Sequence, residues 1–258
     1  MRVANTPSKV PQVTLWFWAV KILATTLGET GGDALSMTLH LGYAASTLIL
    51  LTLFGITLAV QVRSRHYHPL FYWAVVVATT TVGTTTSDLL DRTLGLGYPR
   101  SSLLLFGAVV AVLLVWKRVA GSIKVDHVTS RTDEIFYWLT ILVSNTLGTA
   151  LGDFAATTTG LGFEGAALVF AALIAVVAAI HLFTDVPPPV LFWVAYVLTR
   201  PLGATLGDTL TKPHAEGGLA LGRIVSSLLI IAGMILVVAV SPGRVRVPVV
   251  DRSRRDRS

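Results

Sequence analysis

The chain has 258 residues, of which 53% are apolar or aromatic and only 13% charged, and its mean hydropathy is +0.71. An ordinary soluble domain is about a quarter charged, so this composition excludes a disordered chain and an ordinary soluble enzyme. There is no cysteine, which excludes disulfides and thiolate sites, and the net charge of +6 sits mainly at the chain ends and in short loops, where it reports membrane topology rather than nucleic-acid binding.

The apolar blocks predict an all-α, polytopic membrane protein of eight spans. In chain order they cover about residues 13–34, 43–62, 69–90, 100–116, 135–155, 164–184, 190–211 and 224–241. Residues 1–12 are polar, and no signal-peptide cleavage pattern follows the first block. Each odd span contains the same ungapped pattern: Trp18, Gly28 and Asp33; Trp73, Gly83 and Asp88; Trp138, Gly148 and Asp153; Trp193, Gly203 and Asp208. Trp to Gly is 10 residues and Gly to Asp is 5 in all four. A glycine-bearing turn follows in the first three, at Leu41-Gly42-Tyr43, Gly95-Leu96-Gly97-Tyr98 and Gly160-Leu161-Gly162-Phe163, and the fourth has a longer connection over 212–223. The chain therefore reads as four parallel helical-hairpin repeats in two halves, 1–123 and 124–258, the second ending in a short basic tail.

With the N-terminus inside, the inner segments hold 14 Lys and Arg residues and the outer loops hold 4, which are Arg92, Arg100, Lys212 and Arg223. This asymmetry predicts that both termini are cytoplasmic. The repeat tryptophans read as anchors at the inner interface, the six histidines as surface residues, and the arginine-rich tail as a contact for anionic lipid.

Positions 7, 11 and 15 after each Trp fall on one helix face. They are Thr25, Glu29 and Asp33; Thr80, Thr84 and Asp88; Asn145, Thr149 and Asp153; Arg200, Ala204 and Asp208. A stripe this polar cannot face lipid, so the odd helices must turn it inward, onto one another or onto a wet cavity. Glu29, Asp33, Asp88, Asp153 and Asp208, with Thr25, Thr80 and Asn145, are the candidate ion-binding set. Arg200 is the candidate counter-ion, and either it pairs with Glu29 or it serves the wider site. Lys21 is either a gating charge or a side chain that snorkels to the inner interface. The competing reading of the four Asp residues is structural: each caps or braces the turn of its own hairpin.

The segments Lys21-Ile-Leu-Ala-Thr-Thr-Leu-Gly-Glu-Thr-Gly-Gly-Asp33 and Leu198-Thr-Arg-Pro-Leu-Gly-Ala-Thr-Leu-Gly-Asp208 resemble a family of bacterial integral membrane proteins, the "membrane-anchored protein" family. Its members are built from four copies of a repeat of unknown function. The resemblance implies a bacterial inner membrane and assigns no catalytic residue. Glu29-Thr-Gly-Gly-Asp33 is also loosely similar to the Glu-x-Gly-Asp signature of manganese and calcium/proton exchangers, with one extra residue and in repeat one only.

These observations predict a secondary transporter, not an enzyme, since no nucleophile–base pair, phosphate loop or metalloprotease motif is present. Hard oxygen donors without His or Cys favour export of a divalent cation, Mn²⁺ before Ca²⁺, as substrate and not as a permanent cofactor. An organic cation or small polar solute, and a non-transporting scaffold or sensor, are the alternatives. The expected partners are the lipid bilayer and the transported species, without nucleic acid, and a homodimer is left open.

Overall fold

The computed structural model describes residues 11–64, 67–121, 123, 128 and 130–241. Arg2, Lys9, Arg65, Lys124, His66, His127 and the basic tail lie outside the described residues. Eight α-helices dominate: α1 (Leu15–Asp33), α2 (Gly42–Arg63), α3 (Pro69–Asp88), α4 (Tyr98–Ala120), α5 (Arg131–Asp153), α6 (Gly162–Phe183), α7 (Pro188–Thr211) and α8 (Arg223–Val240). The described residues contain no strand. Helix starts follow local chemistry. The Thr14 and Ser130 hydroxyls accept from the backbone N–H of Phe17 and Asp133, and proline occupies the first turn of α3 and α7.

The odd helices of the first three repeats each run on through one π-helical turn, at Ala34–Thr38, Leu89–Thr93 and Phe154–Thr158. The chain then reverses through left-handed backbone. Gly95 and Gly97 have φ of 71° and 73°, a conformation that is cheap for a residue without Cβ. Repeat four differs. After α7 the longer connection folds back so that the N–H groups of Leu219, Ala220 and Leu221 donate to the carbonyls of Thr209, Lys212 and Leu210. This satisfies acceptors that a helix C-terminus leaves open.

The odd helices form a closed ring in which α1 packs on α3, α3 on α5, α5 on α7 and α7 on α1. The even helices lie outside, and each packs mainly on the next repeat's ring helix: α2 on α3, α4 on α5, α6 on α7 and α8 on α1. The repeat is thus a hairpin in sequence, while its main packing partner is the following repeat. The π turn and glycine turn carry the chain sideways over one ring position before it returns.

Six helices are long and apolar enough to cross a membrane, namely α2, α4, α5 with its π turn, α6, α7 and α8. Between 17% and 22% of the apolar stretch is buried in the four even helices, against 67% in α5 and 61% in α7. The even helices therefore present apolar surface outward, as lipid contact requires. Helices α1 and α3 fall below that apolar threshold because they carry Lys21, Glu29 and Asp33, or a run of threonines, toward the ring interior.

The tryptophans correct the interface-anchor expectation. Trp73 and Trp138 are buried, and Trp18 and Trp193 are partly buried against the same cluster. Ring centroids lie 5.6 Å apart for Phe17 with Trp73 and for Tyr72 with Trp138. The aromatic residue before the Trp of one ring helix packs on the Trp of the next, so packing rather than lipid contact fixes them. His40, His68, His181 and His214 are exposed.

Candidate functional site

The repeat register makes the ring interior a stack of layers. Four residues of helix rise about 6 Å, so residues at Trp −1, +3, +7, +11 and +15 follow one another along the axis. The first layer is aromatic, with Phe17, Tyr72, Tyr137 and Phe192, and the Tyr72 and Tyr137 hydroxyls are 2.8 Å apart. The next holds Lys21, Val76, Ile141 and Tyr196, all fully buried. The third holds Thr25, Thr80, Asn145 and Arg200; the fourth Glu29, Thr84, Thr149 and Ala204; the last the four aspartates.

The repeat glycines make this stack possible. A Cβ on Gly28 would strike Thr80, one on Gly83 would strike Asn145, one on Gly148 would strike Arg200, and one on Gly203 would strike Thr25. Each glycine therefore receives the +7 side chain of the next ring helix. Thr25 and Thr80 use that approach to donate across the seams, to Thr199 O and Ala24 O, each at 3.1 Å. Asn145 Nδ2 donates to Thr79 Oγ1 at 3.0 Å.

Arg200 crosses the axis from α7 and is fully buried. Its guanidinium donates to Glu29 Oε2 at 3.1 Å, Thr84 Oγ1 at 2.5 Å and Thr149 Oγ1 at 2.6 Å. Longer contacts reach Thr25 O and Thr80 O at 3.4 Å. One side chain thus touches all three other ring helices, and of the two readings of Arg200 the pair with Glu29 is the one that forms.

The aspartates sort into two units. In one, Arg92 lies between Asp88 at 2.9 Å and Asp153 at 3.7 Å. In the other, Lys212 lies between Asp208 at 3.3 Å and Asp33 at 4.0 Å, and Arg223 adds a second cation on Asp33 at 3.3 Å. Arg92 and Lys212 both stand four residues after their own Asp and reach the Asp of the following repeat. Each is faced by the equivalent aromatic residue of the preceding repeat, Tyr43 at 5.9 Å and Phe163 at 5.8 Å. The acidic end therefore has two-fold pseudo-symmetry, while the glycine layer has four-fold. Burial works against the Lys212 charge, but Asp208 and Asp33 more than offset it and hold the ammonium above its ordinary range.

The structure divides the predicted ion-binding set. Glu29, Asp33 and Asp208 converge, with ligand oxygens within 4.8 Å of one another. Asp88 and Asp153 belong to the Arg92 unit, and Thr25, Thr80 and Asn145 lie one layer or more below the carboxylates. Sequence reasoning missed Arg92, Lys212 and Arg223 as parts of the site. Four cations, Arg92, Arg200, Lys212 and Arg223, pair with the five carboxylates, so most of the acidic charge of the stripe is offset. A basic residue at Trp +19 in repeats two and four was the available signal. Lys21 does not snorkel: it is wholly buried, with Nζ 4.1 Å from the centroid of the Tyr196 ring.

A ring of helices around a buried charged axis, jacketed by four apolar helices and built by four-fold repetition, defines an all-helical repeat protein of membrane-protein composition. A family model described as Repeat of Unknown Function (DUF347) matches residues 16–67, 71–122, 136–186 and 191–241, and the chain belongs to this family. Comparisons with curated proteins and with solved structures find no match.

Proposed function

We propose that the protein is a secondary transporter of a small cation, with all eight helices crossing the bacterial inner membrane and both termini cytoplasmic. The observation that carries this reading is the convergence of Glu29, Asp33 and Asp208 at one seam of the ring, between α1 and α7. Buried carboxylates in a membrane protein are costly and mark ion or substrate pathways. The all-oxygen set suits a hard divalent cation, Mn²⁺ or Ca²⁺. Lys212, Arg223 and Arg200 now hold these oxygens and are the groups that such an ion competes with.

A second reading, an organic cation, is favoured by one observation. Lys212 brings an alkylammonium against two carboxylates and 5.8 Å from the Phe163 ring, the chemistry by which amines are recognised.

Thermal unfolding of the purified protein against Mn²⁺, Ca²⁺, Mg²⁺, Zn²⁺ and small alkylammonium ions separates these readings, because a ligand that binds the native state raises stability by mass action. A shift with Mn²⁺ or Ca²⁺ that disappears in folded Asp208→Asn supports the divalent site, and a shift with alkylammonium alone supports the second reading. If no cation shifts wild type, and none crosses reconstituted vesicles, both are overturned and the axis is a scaffold.

A further inference from the structure

We infer that Lys21 is a proton-exchange site in the axis, separate from the acidic end. It stands eight residues before Glu29, about 12 Å along the helix. Its side chain is completely buried, and Nζ has no hydrogen-bond partner among the described residues. From α7 it is faced by Tyr196, whose hydroxyl also has no partner, and by Arg200, a like charge. At the same level α3 and α5 present Val76 and Ile141, with the Tyr72 and Tyr137 hydroxyls one layer beyond. Helix α8, which also packs on α1, has no titratable residue except Arg223 at its start, beside Asp33. The one carboxylate next along the stack, Glu29, is held by Arg200.

A position needed only for packing is served by an apolar residue, as Val76 and Ile141 show at the same register. A lysine there carries a large desolvation cost with no counter-charge to offset it. What it adds over those residues is a nitrogen that can hold or give up one proton. When the ammonium releases its proton, the nitrogen keeps the electron pair and the axis loses one positive charge. The nearest hydroxyl-bearing side chains toward the aromatic end are Tyr196, which has no partner, and Tyr72 and Tyr137, which bond each other, so the released proton leaves through an opening of this layer rather than along a standing hydrogen-bond chain. Arg200 makes the site responsive. While Glu29 neutralises Arg200, Lys21 carries its charge at less cost, and once Glu29 is drawn away, the two cations repel within a buried layer. The coupling to transport rests on the function proposed above, but the proton site does not.

The test uses ¹⁵N at lysine Nζ in a chain where Lys9, Lys117, Lys124 and Lys212 are replaced by Arg, leaving Lys21 as the single lysine. The protein is held in phospholipid nanodiscs and followed from pH 5 to pH 9. The expected result is one resonance that passes between the ammonium and amine positions within this range, with a midpoint displaced by more than one pH unit in Glu29→Gln. A resonance in one form throughout overturns the proposal. If Lys212→Arg hinders folding, Lys212 is retained and the Lys21 signal is identified by its loss in Lys21→Met. No transported ion takes part, so failure here is distinct from failure of the cation-binding test.

Discussion

The two acid–cation units at the Asp end share one plan and differ in what surrounds them. Arg92 holds Asp88 and Asp153 from a side chain 34% exposed, and its flanking ring residues are neutral: Thr80, Thr84, Asn145 and Thr149. Lys212 holds Asp208 and Asp33 from a side chain only 9% exposed, with Glu29, Arg200 and Arg223 close by. Alternate repeats carry a cation four residues after the Asp, and Glu29, Arg200 and Arg223 add charge at the α7–α1 seam. The Arg92 unit is thus what the brace looks like without a specialised neighbourhood, and it serves as an internal control for the other.

Substitutions that break this contrast should differ widely in size. Arg200→Met leaves Glu29 as a buried, unpaired charge and should destabilise the protein by about 3–5 kcal/mol, with much of the loss recovered in Glu29→Gln/Arg200→Met. Its register equivalent Asn145→Ala should cost about 1–2 kcal/mol. Denaturant unfolding of the solubilised protein measures both. Lys212→Gln should cost about 1.5–3 kcal/mol, whereas Arg92→Gln should cost under about 1 kcal/mol and depend on salt. Equal costs for those two would dissolve the comparison. Gly148→Ala should cost about 1–3 kcal/mol by driving a methyl into Arg200, while Gly55→Ala, with nothing within 4 Å, should stay within about 0.5 kcal/mol. Tyr72→Phe removes one hydroxyl pair and should cost about 1 kcal/mol.

Much of this was legible in the sequence. The Trp–Gly–Asp register placed the ring helices and the inward face, because a four-residue period survives in any α-helix. The Arg200–Glu29 pair was one of two open readings, since both break the repeat at adjacent positions of one face. The partners of the aspartates were not foreseen. Three of the four basic residues assigned to outer loops, Arg92, Lys212 and Arg223, fold back onto the acidic layer. Periodicity says which face a span turns inward, but not which connecting residue returns to it. Packing also overrode local preference at Lys21, where a long side chain near a span end has an interface within reach in sequence terms, yet lies under the Tyr196 ring. The tryptophans were misread for the same reason, since an aromatic residue near a span end suits a lipid interface and a packed ring equally well.

The offset packing of the even helices has a mechanical consequence. Each is joined by the chain to one ring helix and lies against the next, so all four seams carry an external strap, the last being α8 laid over α1. A hoop fastened at every joint does not depend on any single one. Nicking the chain between residues 121 and 130 should leave the two pieces clasped together through isolation, and the seams should loosen as a set, like an iris, rather than one at a time.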